Sequence, residues 1–189
     1  MEYAMNKKTS SRLLFYIFII IVGLILPDIG FAKSAKKIDA GVDESLKSFF
    51  EEIGAAKDLA EKAEGVLVFP KVIKAGIGIG GEYGEGALRI KGKTVDYYST
   101  AAASIGFQFG AQTKTIILMF MTAKALERFR DSEGWEVGVD ASVALIEVGA
   151  GGSIDTASLK QPILGFVIGQ KGLMYNLTLE GSKMTKIVP

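Results

Sequence analysis

Between Ala75 and Tyr98 the chain reads AGIGIGGEYGEGALRIKGKTVDYY, with Gly76, Gly78 and Gly80 alternating with Ile77 and Ile79. Alternation is the period of a β-strand, because successive side chains point to opposite faces. One face is therefore isoleucine and the other bare backbone. A bare face admits a close neighbour, either another strand or a ligand. Gly80–Gly86 and Lys91-Gly92-Lys93 carry turn chemistry, so the stretch is predicted to fold as a small meander ending at Tyr97-Tyr98.

Upstream, Val42, Leu46, Phe49, Phe50, Ile53, Leu59, Ala60 and Ala63 recur near the helical period and predict an amphipathic helix over Ala40–Ala63. Asp43 and Glu44 in its first turn complement the helix dipole. Gly54 costs about 1 kcal/mol relative to alanine inside a helix and marks where the helix would break in two. Lys33–Asp39 reads as a polar linker. The Phe49/Phe50 stripe is expected to pack on the core sheet and not in a membrane, since an exposed apolar stripe is costly. Gly65 reads as a left-handed cap, and Val66–Phe69 as a buried strand ended by Pro70.

Ala101–Ala111 alternates again, with Ile105, Phe107 and Phe109 on one face. Thr115–Met121 is a continuous apolar run, as expected of a strand covered on both faces. Thr122 caps a short helix, Ala123–Arg130, anchored by Leu126 and Phe129. Asp131–Trp135 reads as a turn. Val137–Val148 alternates with Val137, Val139, Ala141, Val143 and Leu145 on one face, and Gly149–Gly152 reads as a break. Ile163–Gly169 and Leu173–Leu179 are predicted to form a hairpin across Gln170-Lys171-Gly172, followed by a polar tail from Gly181. Strands outnumber helices and follow one another without helical crossovers. The predicted class is α+β: a mainly antiparallel, curved or partly closed β-sheet with an N-terminal amphipathic helix and a short second helix.

Composition narrows the chemistry. The 189 residues contain no cysteine and no histidine. That excludes disulfides, thiolate chemistry and a lipid-modified cysteine, and it removes the commonest general base and metal ligand. A net charge of +1 gives no global field for nucleic acid. Lys7, Lys8 and Arg12 precede an apolar run, Leu13–Leu26, shorter than the roughly 20 residues of a bilayer span. With Gly30-Phe31-Ala32 behind it, this is the anatomy of a signal peptide over residues 1–32, cut after Ala32; an uncleaved anchor is the alternative. From Lys33 onward, basic and acidic residues are equal in number.

Few motifs carry chemistry. Gly76–Gly81 matches G-x-G-x-x-G, but the glycines lie inside a strand pattern and Glu82–Gly86 is a poor helix start, so the structural reading is preferred over nucleotide binding. Ser104 faintly resembles a nucleophile elbow without its first glycine or a histidine to activate it. Gly151–Thr156 is a glycine-rich turn whose simplest reading is a loop. The spacing of Glu82, Glu85 and Asp96 fits no metal loop. Lys71, Lys74, Arg89, Lys91 and Lys93 surround the glycine stretch. Grouped in space they would suit anionic headgroups, at about 1 kcal/mol per cation; by pattern alone, solvated charge is the simpler reading.

Several runs in order resemble the SYLF domain family: Gly65–Pro70 (GVLVFP), Lys74–Ala87, Tyr97–Thr100 (YYST), Gly110-Ala111-Gln112, Phe120–Thr122 (FMT), Phe129-Arg130, Gly134–Val139 (GWEVGV), Gly149–Thr156 and Gly165–Met174 (GFVIGQKGLM). The resemblance runs from about Asp39 to the end, making residues 40–189 the domain and 33–39 a linker. It implies lipid binding, with phosphoinositides as ligands of eukaryotic members and part of the affinity in an amino-terminal amphipathic helix. Ala40–Ala63 matches that helix, with Lys47, Lys57 and Lys62 as its cations. The chain lacks the Src-homology-3 or FYVE modules of eukaryotic members and the lipoprotein cysteine of many bacterial ones.

The expectation is a non-enzymatic, exported or periplasmic domain that binds an anionic phospholipid surface. Phosphatidylglycerol or cardiolipin is the reasonable bacterial ligand. Lys71, Lys74, Arg89, Lys91, Lys93, Lys47, Lys57 and Lys62 are the candidate contacts. No catalytic residue, cofactor, metal or nucleic acid is expected, and actin binding is not carried over. The alternatives are an envelope scaffold that binds a protein through a sheet edge or glycine face, and an enzyme using Ser or Asp without histidine.

Overall fold

The computed structural model describes residues 34–146, 160–172, 179 and 181–189, with backbone alone at 77–79, 104–110 and 169–172. Lys33–Pro189 makes one compact unit by its internal contacts. The expected signal segment, the 149–152 break, the 151–156 turn and the strand at 173–178 lie outside the described residues.

Helix α1 spans Ala35–Glu52 and α2 spans Ala56–Lys62. They part at Ile53–Ala55, around Gly54, as the sequence suggests. Helix α1 begins at Ala35, however, so most of the expected Lys33–Asp39 linker is helical. The reason is Ile38, which is buried and extends the Val42/Phe49 stripe back by one turn. The stripe packs on the sheet as expected: the Phe49 ring meets Phe166 edge-on, with centroids 4.9 Å apart.

The glycine region is not a meander. Two long strands, β1 (Gly65–Ile90) and β2 (Lys93–Phe120), pair antiparallel along almost their whole length. The chain turns only at Lys91-Gly92, where φ is 51° and 77°, the left-handed pair that a two-residue hairpin requires. Gly81, Gly84 and Gly86 make no turn. Pro70 does not end a strand either. It lies in a bulge between Phe69 and Val72, where the ladder needs no N–H, and Thr115 Oγ1 donates to its carbonyl at 3.0 Å. Gly65 is the first residue of β1, has no positive φ, and lies under Leu126.

Gly84 and Gly86 serve a close approach. A Cβ on Gly84 would lie 2.7 Å from Val72 Cγ2, and one on Gly86 would lie 2.8 Å from both Val68 C and Phe69 Cδ1. The second limb of β1 is therefore folded over its own first limb. The bend lies between them, near the register shift at Ile77/Ile79. At Gly84 and Gly86 the bare backbone admits a close neighbour, and that neighbour is the first limb of β1 itself.

The remaining elements complete the curl. Helix α3 (Ala123–Asp131) is capped by Thr122, whose hydroxyl accepts from Ala125 N–H at 3.3 Å. Strands β3 (Trp135–Glu136), β4 (Ala144–Leu145), β5 (Ile163–Gly172) and β6 (Lys183–Ile187) join the hairpin in the order β3-β6-β2-β5-β4, with β1 also on β2. All pairs are antiparallel except β4 with β5. The fold is α+β with a curled, mostly antiparallel sheet, as predicted.

Two further local expectations fail. Val137–Val148 is not one strand: Gly138 turns at φ 88°, so Val137 is 3% exposed and Val139 is 73% exposed. Gln170-Lys171-Gly172 is not a turn but the end of β5, with Lys171 opposite Thr113 and Gly172 opposite Gln112. The polar tail from Gly181 is built into the sheet: Lys183–Ile187 pairs with Tyr97–Ala101 and buries Met184.

Around Gly65–Phe69 and Ile116–Phe120 both faces of the sheet are covered. Leu67, Phe69, Ile116 and Leu118 face a core completed by Phe129 and Trp135. Val66, Val68, Ile117 and Met119 face α1 and α2. Tyr98 belongs to the first core, its ring 4.8 Å from that of Phe129. Burial, followed by the Asp96 charge, pushes its phenol from 10.0 up to about 12. The folded state thus favours the protonated phenol. That stability is present below pH 10 and is lost as pH rises through about 12. Alkaline unfolding of the wild type is expected to steepen between those values, and Tyr98→Phe to flatten it, as followed by circular dichroism.

Candidate functional site

A cleft of about 400 Å³ opens where α1, α2 and the β1–β2 hairpin tip meet. Its apolar lining is Leu46, Phe50, Ala60, Ala63 and Val66. Leu46 and Phe50 are one turn apart on α1, beside the buried stripe, which leaves them half-exposed. The polar lining is Asp43, Lys57, Glu61, Arg89 and Lys91. Lys57 and Lys91 are exposed and, among the described residues, make no ion pair.

Arg89 is held in place. Its Nη2 donates to Asp43 Oδ1 at 2.8 Å and to Asp39 Oδ1 at 3.4 Å, and its Nη1 to Gly92 O at 3.3 Å. Asp39 also accepts from Thr94 Oγ1 at 2.6 Å and from Tyr97 Oη at 2.9 Å. One carboxylate thus joins α1 to three residues of the hairpin. Burial, the Asp39 bond and the Asp39 charge raise the Tyr97 phenol, against the opposing effect of Arg89. Arg89 is therefore a fixed cation already paired with two carboxylates, whereas Lys57 and Lys91 are free to meet a ligand.

The structure divides the predicted basic set. Lys57, Arg89 and Lys91 share the cleft. Lys93 is exposed at the same hairpin tip but does not line it, and Lys47 and Lys62 are exposed on the helices. Lys71 lies at the Pro70 bulge and lines a second cleft of about 620 Å³, among Lys37, Glu44, Ser45, Ser48 and Glu52. Lys74 is 6% exposed, so it is not part of an outer basic patch with the other cations. Sequence reasoning missed the half-buried Leu46 and Phe50 as site residues and Asp39 as the tie. The signal for the first was their place at the margin of the helical stripe. The partners of Asp39 lie 50 or more residues away, and nothing local announces them.

The other candidates resolve structurally. Gly76–Gly81 lies within β1, which continues as strand to Ile90, so no helix follows it. Ser104 lies in β2 opposite Gly80. Glu82, Glu85 and Asp96 do not converge: Glu82 pairs with Lys114 at 2.9 Å, Glu85 accepts from Tyr83 Oη at 3.0 Å, and Asp96 pairs with Arg130 and Lys186. Among the described residues no group of three or more acidic side chains is placed to hold a metal ion.

Residues 101–187 match the family model Ysc84, described as Las17-binding protein actin regulator. No curated protein matches the chain. The matched stretch begins inside β2 and runs through β6, leaving α1, α2 and β1 outside it. Because β1 pairs with the matched limb of β2, that stretch is not a separable unit of this fold. The motifs Gly110-Ala111-Gln112, Phe120–Thr122, Gly134–Val139 and Gly165–Met174 all fall within the match. Over residues 101–187 the chain is similar to this family, the SYLF domain family that its motifs resemble.

Proposed function

We propose that the domain is a non-enzymatic module that binds an anionic phospholipid at the cleft between the helices and the hairpin tip. The family is one of binding domains, associated with lipids or actin-regulating partners. The observation that carries the lipid reading is the meeting, in one cleft, of an apolar floor with two unpaired lysines. Its volume falls within the range of about 300–1,000 Å³ usual for small-ligand sites. Leu46, Phe50, Ala60, Ala63 and Val66 take the acyl or glycerol part. Lys57 and Lys91 take the phosphate, and Arg89, paired with Asp39 and Asp43, fixes the hairpin wall of the cleft. Phosphatidylglycerol or cardiolipin is the headgroup class proposed, with the domain exported to the cell envelope. Mass spectrometry of the mature amino terminus tests the export.

Vesicle co-sedimentation tests the binding. Wild type is expected to pellet with phosphatidylglycerol vesicles and not with phosphatidylcholine, and less as salt rises. Lys57→Ala with Lys91→Ala is expected to lose about 2 kcal/mol, near 30-fold in affinity. Equal pelleting on neutral and acidic vesicles at low salt would remove the electrostatic part. A discrete crosslinked protein partner with no vesicle binding would favour the partner named in the family description.

A further inference from the structure

The inside of the bent hairpin is not uniformly apolar. Burial alternates at the described residues 72–75, 81–83, 100–101 and 111–112. Lys74, Glu82, Thr100, Gln112 and Lys114 are buried, while their neighbours Ile73, Ala75, Tyr83, Ala101 and Ala111 are exposed. Five polar side chains thus share the concave face. Register places Lys74 opposite Gln112 and, through the Val72–Lys114 pair, on the diagonal from Lys114. Between the Lys74–Gln112 pair and the Glu82–Ala102 pair, the ladder passes through Gly76–Gly110 and Gly80–Ser104. Three of those four residues have no side chain.

The electrostatics of this face are unbalanced. Lys114 Nζ lies 2.9 Å from Glu82 Oε2, tying the two limbs of the hairpin. Lys74 makes no hydrogen bond or ion pair among the described residues, although it is 94% buried by its 6% exposure. Glu82 Oε1 and Thr100 Oγ1 are buried without a hydrogen-bond partner. An uncompensated buried ammonium and two orphaned oxygens are costly, and native folds rarely keep such groups without a use.

We propose that this concave face binds a hydroxyl-bearing phosphate group, free or as the headgroup of a lipid, with Lys74 as its counter-ion. The anion balances the unpaired charge of Lys74, because Lys114 and Glu82 neutralise each other. A ligand hydroxyl donates to Glu82 Oε1, and Thr100 Oγ1 donates to a phosphate oxygen. Gly76, Gly80 and Gly110 put no side chain on this stretch of the face. This site shares no residue with the cleft of the helices and hairpin tip, and it stands whether or not that cleft binds lipid.

The test is thermal unfolding of the full chain at constant ionic strength. Its arms are inorganic phosphate, glycerol 3-phosphate, or a short-chain phosphatidylglycerol below its micelle concentration, each replacing chloride. Wild-type Tm is expected to rise with the logarithm of ligand concentration. In chloride alone, Lys74→Met is expected to raise Tm, because an unpaired buried charge is gone, and the ligand-dependent rise is lost. Lys57→Ala with Lys91→Ala is expected to keep that rise. Thr100→Val, a second and milder variant, is expected to weaken the ligand about tenfold by calorimetry. A rise with all three ligands identifies a free-phosphate site, and a rise with the lipid alone identifies a headgroup site. A wild-type Tm indifferent to all three overturns the proposal. So does a Lys74→Met protein that is destabilised in chloride and keeps the wild-type phosphate response.

Discussion

Gly86→Ala is expected to destabilise the domain by about 3 kcal/mol or more, enough to prevent folding in a marginally stable chain. The added methyl would overlap the Val68 carbonyl oxygen and sit 2.8 Å from Phe69 Cδ1. The oxygen belongs to backbone inside the β1–β2 ladder, so it cannot swing aside as a side-chain end would. Relief requires separating the two limbs of the hairpin, which opens the core of Leu67, Phe69 and Leu88. Gly54→Ala is the control. Nothing lies within 4 Å of its Cβ position, so its expected effect is within about 0.5 kcal/mol of zero or slightly stabilising. Urea denaturation of both variants measures the contrast. Equal, small effects would mean that the limbs do not approach as described.

Lys114→Met is expected to cost about 3–5 kcal/mol, because it strands the Glu82 carboxylate in the interior. The side chains of the pair are 1% and 6% exposed, and their 2.9 Å contact joins one limb of the hairpin to the other. Removing both charges with Lys114→Met and Glu82→Leu is expected to recover most of the loss, since well-packed apolar residues often replace a buried pair at no net cost. A double-mutant cycle by denaturation therefore separates the worth of the pair from the penalty for breaking it. A single variant within about 0.5 kcal/mol of wild type would place the pair in water.

The two buried lysines make opposite predictions from one principle. Lys114 has a partner, so deleting its charge harms the fold. Lys74 has none, so deleting its charge relieves it. Neither outcome was legible in the sequence, where Lys74 looks like any cation beside a glycine run. Burial depends on the hairpin folding over itself, and that depends on contacts such as Gly86 with Val68, residues 18 positions apart in one strand.

What the sequence did announce were strong local periods. The α1 stripe, the Gly54 break, the Thr122 cap with its helix, and the doubly buried TIILMF run all follow from patterns within a few residues. Several of the errors share one physical source. Turn residues were read as turns where they serve other ends: Pro70 occupies a bulge, Gly84 and Gly86 a close approach, and Gln170–Gly172 a paired strand. Glycine and proline mark places where ordinary side chains do not fit, and a turn is only one such place. For the site, sequence supplied the cations but not their grouping. Arg89, Lys91 and Lys57 meet only because α2 packs beside the hairpin tip.

The most direct test of lipid binding at the cleft is photocrosslinking of the full chain with phosphatidylglycerol carrying a photoreactive group near its headgroup, followed by peptide mapping. Labelling is expected on the peptides that carry Leu46–Phe50, Lys57–Ala63 and Arg89–Gly92, and is expected to fall in the Lys57→Ala/Lys91→Ala protein. Labelling spread over the outer strands, or unchanged in that variant, would contradict it.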